Sequence, residues 1–301
     1  MTTTAGTPQW IAEPSLPARW RGRFAQLRFR LVPEGLVLFL ILLVTASFLI
    51  QQISPWDPQS GTLTDRLKTP QLQALFWKGH PLGTDQQGRD IFVRVLVGAR
   101  YSLAVAAIAL GIAGAIGLVL GMIAGYFGGV IDILVMRAAD FFLSVPIILL
   151  ALILAGVFGP SLLLISISLA ISLWAVYARM IRGETLSVTQ RDFIRSARIA
   201  GASSPRIIAK HVLPHVLSTF IVLLSLQIGG AILAEASLSF LGAGIPAPLP
   251  AWGSMAAEGR RYVQTAWWLT VFPGVAIAVI VLCFSLLGDW LRDILDPRAN
   301  A

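Results

Sequence analysis

Residues 179–215 read RMIRGETLSVTQRDFIRSARIAGASSPRIIAKHVLPH and form a basic, polar stretch between two long apolar segments. A connection between packed helices usually has about 2–8 residues, so this stretch is several times longer than a turn requires. Its apolar residues recur at helical spacing until Gly201 interrupts the pattern. Ser203 and Ser204 offer an N-cap for a second helix, and Pro205 suits its first turn. The stretch therefore predicts two short surface helices separated by a glycine break.

The composition around this stretch is that of a membrane protein. Hydrophobic residues make up 56% of the 301 residues and charged residues only 13%, against about 25% in a typical soluble chain. The formal net charge is +8, and the cations flank apolar runs instead of lying in a polar domain, which argues against a nucleic-acid partner. The one cysteine, Cys283, lies in an apolar run, where packing explains it.

Six apolar segments predict an all-α membrane protein with six transmembrane helices. A spanning helix needs about 20 apolar residues, and the predicted spans begin near residues 35, 101, 131, 160, 216 and 266. Five arginines precede the first span, which favours a cytoplasmic amino terminus and, with six spans, a cytoplasmic carboxyl terminus. The predicted regions are a cytoplasmic tail (1–34), the first span with an external loop (35–100), a five-helix core (101–288) and a second cytoplasmic tail (289–301).

Two patterns predict contacts of the membrane helices. The third predicted span carries Arg137 and Asp140, which are three residues apart and are expected to pair on one helix face. The second predicted span carries a small residue at every fourth position, a ridge that lets a neighbouring backbone approach closely. These small residues are Ala109, Ala113, Gly117, Gly121, Gly125 and Gly129.

The sequence predicts no catalytic site, metal site or bound cofactor in this chain. It contains no G-x-x-x-x-G-K-[ST] phosphate-binding loop. His211 and His215 are four residues apart, but Val212 stands where a His-Glu-x-x-His motif requires Glu. No serine, histidine or carboxylate falls in a recognisable nucleophile setting, so we do not expect an enzyme.

The glycine-broken stretch resembles the EAA loop of binding-protein-dependent ABC importer permeases. In that pattern, E-A-A is followed by three residues, a glycine, nine residues and I-x-L-P. Aligned on Gly201, the matching residues are Ala197, Leu213 and Pro214. The residues that depart from the pattern are Arg195 at the Glu, Ser196 at the first Ala and His211 at the Ile.

Three further blocks resemble the dipeptide/oligopeptide branch of that family, which also includes nickel, glutathione and haem permeases. They are HPLGTDQQGRDIFVRVLVGARYSL (80–103), EASLSFLGAGIPAPLPAWG (235–253) and LLGDWLRDILDPR (286–298). The resemblance implies a multi-pass permease subunit in the bacterial plasma (inner) membrane, working by alternating access. It also implies three kinds of partner: a second, distinct permease subunit, two cytoplasmic ATPases that bind ATP and Mg, and an external substrate-binding protein. The resemblance does not identify the transported solute.

The resemblance implies that residues of the 179–215 stretch dock the ATPases. The expected coupling residues are Asp192, Arg195, Ala197, Arg198, Gly201, Ala202 and Ser203. Gly201 is expected to break the helix so that a short coupling helix is presented, although a C-cap alone would also explain a glycine. The alternative for the whole stretch is a solvated linker held by anionic membrane lipid.

Two other groups of residues are candidate sites. Glu235 is the one carboxylate deep in an apolar stretch, where it either anchors the structure by hydrogen bonds or lines the translocation path. The block before the second span is expected to form an external platform that faces the binding protein, with a structural plug as the alternative. The expected platform residues are Gly83, Asp85, Gly88, Arg89 and Asp90.

Two other functions remain as alternatives to an ATP-driven importer. A secondary transporter would need paired acids or bases within the membrane, and the sequence offers only Glu235. A membrane scaffold without transport would not need a glycine-broken helix pair at the cytoplasmic face.

Overall fold

The computed structural model describes the backbone of residues 18–71 and 79–295, and the side chains of residues 33–71 and 79–295. The outermost parts of the two predicted tails, residues 1–17 and 296–301, lie outside this description. Within the described residues the secondary structure is helical, apart from one isolated bridge between Thr84 and Asp90. The predicted all-α class is therefore confirmed for this part of the chain.

Ten α-helices follow one another along the described chain. They are α1 (Ala18–Ile53), α2 (Ile91–Phe127), α3 (Gly129–Ser144), α4 (Ile147–Phe158), α5 (Leu162–Thr189), α6 (Asp192–Ile199), α7 (Ser204–Ile207), α8 (Leu213–Phe240), α9 (Trp252–Gly259) and α10 (Trp268–Leu295). A π-helical turn, Ile208–Val212, joins α7 to α8. We call the end of the bundle with residues 190–212 the coupling end, and the end with residues 54–71, 79–90 and 251–266 the platform end.

Five of the described helices are long and apolar enough to cross a membrane, and α3 with α4 would add a sixth span. The five are α1 from Pro33, α2, α5, the continuous run from Ser204 to Phe240 that contains α8, and α10. The third predicted span is thus not one straight helix. α3 and α4 meet at 80°, and Pro146 lies at the break because proline cannot continue the hydrogen bonding of the preceding helix.

Helix α2 begins ten residues earlier than the predicted second span, at Ile91 instead of residue 101. The Asp90 carboxylate accepts a hydrogen bond from the Val93 N–H (2.9 Å) and so caps the helix at its first turn. Arg94 therefore lies inside the helix, where it is buried among ion-pair partners. The sequence predicted a loop up to Arg100, whereas residues 91–100 form the start of α2.

The ion pairs of α3 are made with α5 and not within α3. Asp140 accepts from Arg179 of α5 (2.6 Å), so the expected pairing of Asp140 with Arg137 was wrong. Asp132 accepts hydrogen bonds from Nε and Nη2 of Arg182. Arg182 was expected near the end of the fourth span, whereas α5 continues to Thr189. These two pairs hold α3 against the part of α5 that approaches the coupling end.

The last two long helices also differ from the predicted bounds. α8 begins at Leu213, three residues before the predicted start of the fifth span. α10 continues to Leu295, and the first residues of the predicted carboxyl-terminal tail are thus part of a long helix.

The ridge of small residues on α2 packs against α5, as predicted. A Cβ atom on Gly117 would lie 2.7 Å from the Trp174 carbonyl oxygen, and one on Gly121 would lie 2.6 Å from the Ala178 carbonyl oxygen. The two backbones therefore approach too closely for any larger residue. Gly129 is the exception, because it starts α3 and a Cβ there would meet no atom within 4 Å.

Candidate functional sites

Helix α6 is fixed to the bundle from two directions. Ile194 is fully buried, and the Phe193 ring stacks on the His215 ring of α8 with centroids 5.1 Å apart. The Arg198 guanidinium lies over the Tyr126 ring of α2, 5.2 Å from its centroid. A displacement of α6 would therefore act directly on the coupling ends of α2 and α8.

Gly201 ends α6 in a left-handed conformation, with φ of +79°. The Gly201 N–H donates to the Arg198 carbonyl (3.0 Å), and the Ala202 N–H donates to the Ala197 carbonyl (3.1 Å). This is the Schellman arrangement, in which glycine avoids the steric cost that a Cβ meets at positive φ. The predicted glycine break and its C-cap role are confirmed.

The segment after the break leads into α8 through a widened turn. α7 begins at Ser204, and the Ser203 side chain does not form the expected cap. The Ser203 carbonyl instead accepts a hydrogen bond from the Ile207 N–H (3.0 Å). The π-helical turn Ile208–Val212 follows. Pro214 accounts for this turn, because its ring would collide with the Lys210 carbonyl in a regular α-helix.

The expected coupling residues divide between two faces of this segment. Ala197 and Ala202 are half-buried and pack on the hydrophobic core. Asp192 and Arg195 are exposed and form only a weak surface pair at 3.5 Å. The other exposed members of the set are Arg198, Gly201 and Ser203. Sequence reasoning missed Ile199, which has a side chain exposed beside the break although it is apolar.

The expected platform residues lie in a buried ion-pair cluster at the platform end. The Arg89 Nε donates to Asp85 Oδ2 (2.5 Å), and Arg89 Nη2 donates to Glu258 Oε2 of α9 (3.1 Å). Arg94 lies 3.6 Å from the same Asp85 carboxylate and donates to the Pro58 carbonyl (2.9 Å). Arg94 and Glu258 were missed, because the partners are far apart in sequence.

Asp90 and His80 form a second buried pair beside this cluster. The His80 Nδ1 lies 2.9 Å from Asp90 Oδ2, and His80 is 6% exposed. Burial raises the pKa of the Asp90 carboxyl above its ordinary value, although the hydrogen bonds from Val93 and His80 act in the opposite direction. The hydrogen bond from Lys68 lowers the pKa of Asp65, the other acid near His80.

Two tryptophans tie the platform to the long helices. Trp268 Nε1 of α10 donates to the Thr84 carbonyl (3.1 Å), and Trp252 Nε1 of α9 donates to the Val95 carbonyl of α2 (2.8 Å). Gly83 has φ of +79°, and a Cβ there would lie 2.7 Å from the Lys68 carbonyl oxygen, so glycine is required on both grounds. The platform is thus one packed unit with α2, α9 and α10, a geometry compatible with both the docking role and the plug role.

Glu235 is fully buried inside this chain. It lies on α8, and Ser239 one turn later donates to Oε1 (2.7 Å). The Ser102 hydroxyl of α2 lies beside the same carboxyl group. The side chain is enclosed between helices of one subunit, and in this structure it does not face an open channel.

An open cleft lies instead between α5, α8 and α10 at the coupling end. Its volume is about 690 Å³. Its polar lining includes Glu184, Arg191, His215 and Arg292, and its apolar lining includes Val222, Leu223 and Leu226. The lining residues of α8 extend from Pro214 to Leu226, which is about 18 Å of helix.

The chain is similar in sequence to known transport proteins. The profile of the family described as "binding-protein-dependent transport system inner membrane component" matches residues 117–301. The chain is 39% identical to the probable D,D-dipeptide transport system permease protein DdpC of Escherichia coli K12, over 95% of each chain. It is 37% identical to the dipeptide transport system permease protein DppC of Alkalihalophilus pseudofirmus, over the full length of both. It is 41% identical to the glutathione transport system permease protein GsiD of an Escherichia coli O6 strain, over 93% of this chain and 90% of that one.

The fold is also similar to that of a solved transporter. An inward-facing structure of the MetNI methionine ABC transporter contains a chain that superimposes with a TM-score of 0.56. The match covers 68% of this chain and 97% of that one, with 19% sequence identity, so it supports the fold alone.

Proposed function

The chain belongs to the family of binding-protein-dependent transport system inner membrane components, and from this premise we propose that it imports di- or oligopeptides or a related solute. It is a transmembrane permease subunit of an ABC importer and not an enzyme. The observation that carries the peptide assignment is similarity to peptide permeases along nearly the whole chain, including the platform and the coupling segment. Glutathione, itself a small peptide, fits the same cargo class.

In the proposed assembly, this chain pairs with a second, distinct permease subunit, and two cytoplasmic ATPases bind ATP and Mg. The ATPases dock on residues 190–212, and their closure moves α6. The Phe193–His215 stack and the Arg198–Tyr126 contact support this role, because they join α6 to two long helices. The expected coupling residues on the exposed face, Arg195 among them, would then contact the ATPase.

An external substrate-binding protein docks at the platform end. The support for a docking role is rigidity, since Asp85, Arg89 and Glu258 link the loop before α2 to α9. A surface that is already ordered loses little conformational freedom when it binds a partner. Gly83, Gly88 and Asp90 act within this unit as turn and capping residues.

The open cleft at the coupling end, and not Glu235, lines the inner part of the cargo path. The cleft carries both cations and a carboxylate, which suits a peptide whose free amino and carboxyl termini bear opposite charges. Of the two roles considered for Glu235, we assign it that of a structural anchor, because its carboxyl group is enclosed between α2 and α8. The termini lie on the cytoplasmic side, with the coupling end.

Uptake by intact cells tests the cargo assignment. Cells that lack the gene for this chain are expected to lose accumulation of a radiolabelled dipeptide, and a plasmid copy should restore it. Unlabelled tripeptide and glutathione serve as competitors, and nickel and haem serve as cargo controls. Unchanged dipeptide and glutathione uptake, with loss of nickel or haem uptake, would contradict the peptide class while leaving the importer assignment intact.

A further inference from the structure

Ile199 is the most exposed large apolar side chain that the structure describes, at 87%. It is the last residue of α6, directly before the turn at Gly201, and lies outside the membrane-spanning helices. An apolar side chain in that position has no packing role within this chain. Its exposure cannot be attributed to lipid contact along a span, as it can for the exposed apolar residues of α1 or α4.

The other large apolar side chains of this segment contact the bundle, although Phe193 remains 37% exposed. Ile194, Ile207 and Val212 are 0–1% exposed, and Phe193 stacks on His215. The bundle therefore holds α6 in a fixed orientation, and the Schellman turn fixes its end. Ile199 is presented on a rigid support, and its burial by a partner would cost little ordering of the backbone.

The segment that carries Ile199 is strongly basic. Residues 190–212 carry five exposed cations and one exposed carboxylate, Asp192. The cations are Arg191, Arg195, Arg198, Arg206 and Lys210. Within the described part of the chain, Arg195 makes only the weak pair with Asp192, and no ion pair involves Arg191, Arg206 or Lys210. The uncompensated charge requires acidic groups on whatever covers this surface.

We infer that Ile199 is the apolar anchor of the ATPase dock, and that it enters an apolar pocket of the ATPase rimmed by carboxylates. This inference rests on the proposed function of residues 190–212, and it adds the anchor residue and the chemistry of the partner surface. Interfaces typically gain most of their binding energy from a few central side chains that are fully desolvated, with charged groups around them. An exposed isoleucine on a short segment that carries five exposed cations fits this arrangement.

The alternative occupant, an anionic membrane surface, fits the geometry less well. A helix that lies in the membrane interface needs an apolar face several residues wide. Of the other large apolar residues of α6, Ile194 is buried, whereas Phe193 is 37% exposed and stacks on His215. Phe193 and Ile199 are six residues apart, about 120° around the helix, so they do not form one wide apolar face.

Site-specific cross-linking distinguishes these occupants. The photoreactive residue p-benzoylphenylalanine replaces Ile199 in the full importer in native membranes, and replaces Leu63 in the matched control. Leu63 is also apolar and 79% exposed, but it lies at the platform end. We expect an ATPase adduct from position 199 and none from position 63. Adducts with lipid alone at position 199, or none with the ATPase, would overturn the inference.

Retention of the ATPases on the purified complex gives the second test. Ile199→Asp is expected to reduce retained ATPase at least tenfold, while Ile199→Leu retains it. The double change Arg206→Glu with Lys210→Glu should weaken retention, whereas Arg66→Glu with Arg261→Glu at the platform end should not. Wild-type retention by Ile199→Asp would refute the anchor, and absence of ATPases from the wild-type complex would instead refute the proposed function.

Discussion

At the scale of single residues, Gly201 combines a structural requirement with the proposed coupling role. Its φ of +79° is costly for a residue with a Cβ, yet a Cβ there would meet no atom within 4 Å. The constraint is therefore conformational and not steric crowding. Asparagine tolerates this conformation better than other non-glycine residues, and a β-branched residue tolerates it poorly.

Gly201→Val is expected to uncouple ATP hydrolysis from uptake, because valine at positive φ costs about 1–2 kcal/mol and shifts the end of α6. We expect at least a tenfold loss of uptake, with the subunit still present in the membrane. Gly201→Asn is the matched control and should retain most of the uptake. Wild-type uptake by the valine variant would contradict the coupling role of Gly201.

Substitutions of Glu235 distinguish a structural anchor from a residue that lines the translocation path. Glu235→Gln keeps the size of the side chain and an acceptor for Ser239, so uptake within about twofold of wild type is expected. Glu235→Ala removes the acceptor and leaves a cavity, and should lower the free energy of unfolding by about 2–4 kcal/mol. Thermal unfolding in detergent and uptake are measured together. A stable glutamine variant without uptake would show a role in transport.

At the scale of helices, the sequence predicted what local patterns determine. The spacing of Ala113, Gly117 and Gly121 marked the close contact of α2, and Gly201 marked the end of α6. The start of α2 was missed because Arg94 is a charged residue within the helix. Its partners Asp85 and Glu258 compensate it, and Glu258 is distant in sequence, so no local pattern indicates that Arg94 is buried.

The contact of α2 with α5 can be tested by a pair of glycine substitutions on one helix. Gly117→Ala places a methyl group against the backbone of α5 and should destabilise the subunit by about 1–3 kcal/mol. Gly111→Ala is the control, since its Cβ would meet no atom within 4 Å, and it should be neutral or stabilising by up to about 1 kcal/mol. Equal midpoints of thermal unfolding for the two variants would contradict close packing at Gly117.

At the scale of the whole molecule, long sequence blocks indicated the family, but they do not show which parts of the chain contact one another. The platform block and the block around Glu235 meet in space, because Trp252 Nε1 donates to the Val95 carbonyl and Ser102 lies beside Glu235. Sequence alone treated the platform residues and Glu235 as two separate sites. Long-range contacts of this kind depend on how the helices pack, and local spacing carries no information about them.

The orientation of the subunit can be tested with a membrane-impermeant thiol reagent. Cys283 is buried, so the native chain gives a low background. In intact spheroplasts we expect labelling of Ser60→Cys at the platform end and no labelling of Ser196→Cys on α6. Ser196→Cys should react after the membrane is permeabilised. The reverse pattern would place the coupling end outside and exclude cytoplasmic ATPases as its partners.

The central claim is that this chain works as the permease subunit of an ATP-driven importer, and its composition in native membranes tests that claim most directly. The tagged chain is extracted in mild detergent, and the proteins that co-purify are identified and quantified. The account predicts one distinct homologous permease and two ATPase subunits for each copy of this chain, with ATP hydrolysis by the complex. A stable chain recovered without a second permease or any ATPase would contradict it.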